Sequence, residues 1–122
     1  KEKNITIGRN ELVVSIADTA EEQQAGLSGR EKLGENEGML FVFKMPSVRS
    51  FWMKDMRFPI DIVWIADTMR IVGVTKNIEP ETFPNTFTSP GPVEYALEVN
   101  AGWARTHGIG VGTRVEFEGV PR

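Results

Sequence analysis

The chain has 122 residues, a net charge of −3, no cysteine and a single histidine, His107. That length suits one domain, taken as 1–122, with enough core to fold without disulfides or a structural metal. The cysteine and histidine counts exclude thiol nucleophiles, iron–sulfur clusters and an ordinary zinc site, and the interspersed charges lack the Lys/Arg cluster of a nucleic-acid surface.

Residues 12–17 are rich in β-branched side chains and read as a strand. Asp18, with Glu21 three residues on, has the pattern of a capping box, so 19–25 is expected as a short helix stopped by Gly26. The polar, glycine-punctuated stretch 27–38 is expected as loop. Residues 39–43 are too short and β-prone for a helix and are expected as a buried strand, with a turn over 44–48 around Pro46. Residues 50–53 read as another strand. Residues 60–65, apolar on both faces except at Asp61, read as a central one. A turn at 66–68 leads into a hairpin partner over 69–74.

Pro80, Pro84, Pro90 and Pro92 keep 79–92 out of a central sheet, and a connection of that length is expected to act as a lid, binding loop or flap. Residues 93–100 alternate, with Val93, Tyr95, Leu97 and Val99 expected on one face and Glu94, Ala96, Glu98 and Asn100 on the other. Asn100 is a candidate cap for a helical turn to Thr106, closed by Gly108. Gly110 and Gly112 bracket a turn before a last strand at Val115 and Phe117. Many short strands and two small helices predict an all-β (mainly β) fold, a sandwich or jelly-roll-like barrel.

The segment FWMKDMRFPIDI at 51–62 resembles the signature of a prokaryotic family catalogued as domain of unknown function 192. IADT at 16–19, QAGLSGR at 24–30, GMLFVF at 38–43, YALEVNAGW at 95–103 and GIGVG at 108–112 are similar to its other blocks, in the same order. The resemblance implies a mainly-β fold of the sandwich type, frequent export, and no assigned activity. The chain departs from the family pattern at Asp55, where an asparagine is expected, and at Thr113, where an acidic residue is expected. The start at Lys1 rather than a methionine fits either removal of an export signal or truncation of a longer chain; with the resemblance, an exported or periplasmic location is expected, with a cytoplasmic one as the alternative.

Lys54, Asp55, Arg57 and Asp61 lie among aromatic and apolar side chains. With Asn100, Trp103 and the proline-rich loop they form the expected ligand-binding set. Asp61 has two readings: a general base or ligand-binding carboxylate, or a buried carboxylate that accepts main-chain N–H groups or pairs with Arg49 or Arg57. The second is favoured because buried networks outnumber active sites in small domains. Lys54 and Asp55 equally suit a turn.

Asp61 and Glu98 are the catalytic candidates, as the paired carboxylates of a glycosidase-like hydrolase. Of the tryptophans, Trp64 reads as core and Trp103 as partly exposed, while Trp52 could stack on a sugar or anchor the core. Met53 and Met56 could share a soft cation, but methionine is a routine core filler, and no metal or cofactor is expected. His107 suits a helix C-terminus.

The leading expectation is a non-catalytic module that binds a small molecule or a polymer such as a carbohydrate. The alternatives are a small carboxylate-based hydrolase and a protein-interaction domain with an apolar patch near Met45, Phe58 or Phe87. Neither nucleic-acid binding nor membrane insertion is expected, since no apolar run approaches a membrane span.

Overall fold

The computed structural model describes residues 1–117. In chain order the elements are β1 (Glu2–Ile7), β2 (Asn10–Ala17), α1 (Ala20–Ala25), β3 (Glu37–Ser47), β4 (Ser50–Trp52), β5 (Ile60–Ile65), β6 (Ile71–Ile78), β7 (Thr86–Thr88), β8 (Val93–Asn100), α2 (Trp103–Thr106) and β9 (Val115–Phe117). The fold is mainly β with two short helices, as the sequence predicts, and takes the form of a curled seven-stranded half-barrel.

The sheet order is β6-β5-β8-β3-β2-β1-β9, and β4 pairs with β7 in a separate two-stranded ribbon. Of the main-sheet pairs only β2 and β3 are parallel. A parallel pair needs a crossover, which α1 and the loop after it supply. The two edges of the sheet meet at one rim, where Arg70 bridges Arg114 and Val115 N donates to Met69 O at 2.9 Å.

Both faces of the sheet are covered. All seven strands and α2 send side chains into one apolar layer, including Ile5, Val14, Leu40, Val63, Tyr95, Leu97 and Trp103. The other layer lies on the outer face, where Met39, Phe41, Ile62, Trp64 and Ala96 meet Leu27, Met53 and the ribbon residues Phe51 and Phe87. Burial is therefore continuous along β5 and β8, and the alternation in 93–100 sorts side chains between two cores rather than between core and solvent.

Three expectations are corrected, and one strand lies outside them. The helix cap is Thr19 with Glu22, one residue later than the Asp18–Glu21 pattern: Thr19 Oγ1 accepts from Glu22 N and Glu22 Oε1 accepts from Thr19 N, both at 3.1 Å. Strand β1 was not legible, because its apolar alternation is confined to Ile5 and Ile7, yet it pairs with β2 over its whole length. Strand β3 runs through Pro46 to Ser47 rather than turning at 44, because the ladder is already broken between Val42 and Ser47 and needs no donor from the proline. The segment 79–92 is no free flap: it holds a 3-10 turn at Pro80–Thr82 and strand β7, and Ser89 N donates to Arg49 O at 2.8 Å.

Candidate functional site

Glu98 stands on β8 between Met39 of β3 and Ile62 of β5, on the outer face of the sheet. It is 6% exposed, and among the described residues its carboxyl makes no hydrogen bond or ion pair. Burial pushes its carboxyl up to about 8, so it holds its proton at neutral pH. It forms the floor of a pocket of ≈300 Å³ between the sheet and the layer that covers it.

One wall of this pocket is α1 and its exit. The Gln23 side-chain amide donates to Ala17 O at 3.1 Å and to Val42 O at 2.8 Å, which clamps the helix onto β2 and β3. At Gly26 the backbone takes φ +51, and a side chain there would approach the Phe41 ring at 3.5 Å. Glycine lets the chain turn back close to the sheet without strain. Ser28 Oγ then donates to Lys54 O at 2.9 Å, and Gly29 N to Asp55 O at 2.9 Å, joining this wall to the loop after β4.

The opposite wall is aromatic. The Phe51 ring lies 4.8 Å from Phe41, 6.4 Å from Phe43 and 5.5 Å from Trp64. Arg49 stacks its guanidinium 4.2 Å from the Phe43 ring centre, and its Nε is buried without a hydrogen-bond partner. At the rim Trp52 is 49% exposed and packs on the exposed Phe83 at 5.0 Å, with Lys54 Nζ 5.7 Å from the indole.

Asp61 has a different environment. It is fully buried; Oδ1 accepts from Asn77 N at 2.9 Å, and Oδ2 accepts from Gly102 N at 3.2 Å and Ala104 N at 3.1 Å. Asn77, at φ +54, lies in a bulge of β6, where two residues oppose Asp61. Gly102 precedes α2 and has no side chain to cap it, so Asp61 serves as the cap from a neighbouring strand. Of its two sequence readings, the buried carboxylate bonded to main-chain N–H groups is the one observed.

The carboxylate pair expected for a glycosidase-like hydrolase is not brought together. Asp61 and Glu98 sit on adjacent strands, but Asp61 faces α2 and the inner core while Glu98 faces the outer layer. Period-two alternation puts the sheet between them.

The expected ligand-binding set separates into three places. Lys54, Asp55 and Arg57 line shallow hollows contiguous with the Glu98 pocket through Ser28, Trp52 and Met56. Asp55 has φ +60, a conformation that Asn and Asp tolerate best, so the acid can stand where the family pattern leads one to expect an asparagine. Asn100 and Trp103 line a separate depression with Leu33, Glu35 and His107. Asn100 does not cap α2; its amide donates to Leu33 O at 2.8 Å and Gly34 O at 3.2 Å. Trp103 is only 4% exposed, and Trp52 is the exposed tryptophan instead.

His107 closes α2, with Nδ1 2.9 Å from Trp103 O. Among the described residues no group of three His, Cys, Asp or Glu could hold a metal ion. The apolar patch expected near Met45, Phe58 and Phe87 divides: Met45 is 72% exposed, whereas Phe58 and Phe87 pack against the outer core.

Four of the six segments that carry the family resemblance meet at this pocket: 24–30 through Gln24 to Ser28, 38–43 through Phe41 and Phe43, 51–62 through Phe51, Trp52 and Met56, and 95–103 through Glu98. A family model, domain of unknown function 192, described as an uncharacterized ACR, matches residues 3–117. The chain belongs to this family. Two solved structures resemble this DUF192 chain at 30% identity. One, from Sinorhizobium meliloti and provisionally described as a transcription regulator, superposes with a TM-score of 0.93 over 98% of this chain and 96% of its own. The other, a protein of unknown function from Novosphingobium aromaticivorans, gives 0.85 over 94% and 84%. A search of the curated proteins finds no match.

Sequence reading missed Arg49, Phe51 and Gln23 as pocket residues. The available signal was Arg49 two residues before the most distinctive segment, and Phe51 at its start. Gln23 adjoins the QAGLSGR block, but nothing local places it beside Phe41.

Proposed function

We propose that this DUF192 domain is a non-catalytic binding module whose site is the Glu98 pocket. The observation that carries the reading is Glu98 itself. A carboxyl removed from water without a partner is costly, and a ligand that hydrogen-bonds to it recovers that cost only when bound. The pocket is at the lower end of the volume range for small-molecule sites, and its lining sets the aromatic side chains of Phe41, Phe43, Phe51 and Trp52 against polar ones from Gln23, Gln24, Arg49 and Glu98. Its hydroxyls are engaged elsewhere, Ser28 with Lys54 O and Ser50 with Thr88 Oγ1, which favours binding over covalent catalysis. The net charge of −3 favours a small ligand over nucleic acid.

The test is a thermal-shift screen with sugars, short peptides, nucleotides and amino-acid derivatives, run on the wild-type chain and on Ala25→Trp. Ala25 is an exposed residue of the pocket wall, so the indole blocks the mouth while leaving stability within about 0.5 kcal/mol. A ligand of the native state raises the wild-type midpoint by mass action and leaves the variant unmoved. A screen with no ligand sensitive to Ala25→Trp refutes the reading.

A further inference from the structure

We propose that the pocket takes a linear zwitterion, a small molecule with an ammonium group and a carboxylate at opposite ends of a short apolar chain, its amine on Glu98 and its carboxylate on Arg49. The proposal rests on the reading of the pocket as a binding site and names the ligand's chemistry. Glu98 and Arg49 are the ionisable side chains that line the pocket. Among the described residues the Glu98 carboxyl has no hydrogen-bond or ion-pair partner, and Arg49 Nε is buried without one. Nor do the two pair with each other.

Their placement sets the shape of what would satisfy both. Glu98 lies opposite Met39, whereas the Arg49 guanidinium lies over Phe43 at the far end of the same row of β3 side chains. Those two β3 positions are about 13 Å apart at the usual strand rise, and two long side chains reach into that interval. Phe41 stands between them, packed on Phe51. The pocket thus offers an acid, an apolar strip and a guanidinium in line. Stacking on Phe43 occupies the guanidinium face and leaves in-plane N–H groups for a carboxylate.

Glu98 is faced by Met39 from β3 and Ile62 from β5, and across the pocket by Arg49. Below about pH 8 it is neutral before the ligand arrives, and an ammonium group beside it favours the ionised form. Binding then releases one proton, from the Glu98 carboxyl to the buffer, and forms one ammonium–carboxylate pair.

Calorimetric titration with glycine, β-alanine, γ-aminobutyrate, δ-aminovalerate and ε-aminocaproate reads the spacing, with pentylamine and valerate as single-charge controls. Affinity is expected to peak beyond β-alanine and to exceed both controls by at least about tenfold. Arg49→Gln brings the best zwitterion down to the level of pentylamine, and Glu98→Gln brings it down to that of valerate, with near-ultraviolet dichroism unchanged in both. Proton release appears as a dependence of the wild-type heat on buffer ionisation enthalpy, lost in Glu98→Gln. Controls that bind as tightly as the zwitterions, or a series in which none binds, overturn the proposal. In that case an Ala25→Trp-sensitive shift with a sugar or uncharged peptide leaves the binding reading standing, and no such shift with any ligand removes both.

Discussion

Asp61 and Glu98 stand on adjacent strands, each almost wholly removed from solvent, yet one accepts three main-chain N–H bonds and the other accepts none. The difference lies in what faces each. Asp61 meets the open backbone of a strand bulge and of a helix start, groups that need an acceptor. Glu98 meets methionine, isoleucine and phenylalanine, with a cavity in front of it. Burial alone therefore does not distinguish an acid committed to the fold from one left without donors at a cavity; the inventory of donors around it does.

The largest effect that can break this comparison is expected at Asp61. Asp61→Ala removes the acceptor of three main-chain N–H groups, the one at Ala104 buried, and is expected to cost about 4 kcal/mol in chemical denaturation. Asp61→Asn, which keeps one acceptor oxygen, is expected to lose less. A loss under about 1 kcal/mol for the alanine variant would show that water or relaxation serves those donors instead.

Glu98→Gln is expected to act in the opposite direction. The carboxyl ionises near 4.5 in the unfolded chain and holds its proton to about 8 in the fold. Between those values the native state binds more protons, so wild-type stability falls as pH rises and levels off above the upper one. Glutamine is neutral throughout, so the variant's gain grows from nearly zero at low pH to roughly 3 kcal/mol at pH 7. Denaturation curves across that range check both size and slope, and a pH-independent difference would mean the group is solvated.

Two smaller changes sharpen the contrast. Thr19→Ala removes a local cap, whereas Asp61 caps from another strand and also binds the bulge, so Thr19→Ala should cost only about 1 kcal/mol in the same assay. Lys54→Ala removes an exposed cation above an exposed indole and should shift stability by less than about 0.5 kcal/mol. A Lys54→Ala effect larger than that of Thr19→Ala would make the rim a structural element.

The parts of the fold legible in the sequence are those with strong local patterns. Residues 60–65 read as a central strand because their run is apolar on both faces, and β5 does pair on both sides. Strand β1 was not legible, since two isoleucines in six residues do not rise above background. Much of the candidate site was likewise hidden. Glu98 looked like any polar residue of an alternating strand, because the layer that buries it comes from α1, the following loop and the ribbon, all distant in sequence. The burial of Trp103 and the exposure of Trp52 were hidden for the same reason: α2 folds inward onto the core, and β4 pairs with β7 away from the main sheet. The resemblance blocks marked the right segments without indicating which face of each mattered.

The ribbon of β4 and β7 shares no ladder with the seven-stranded sheet, and it carries Phe51 and adjoins Arg49. Hydrogen exchange in the native state should therefore resolve two cooperative units. The amides of β4 and β7 open with a free energy well below that of the whole molecule, and those of β3 and β8 open only with global unfolding. For a ligand of the proposed site, entry would then need only a sub-global opening of one wall, at a rate set by three pairs of short-strand residues, while the half-barrel beneath stays closed.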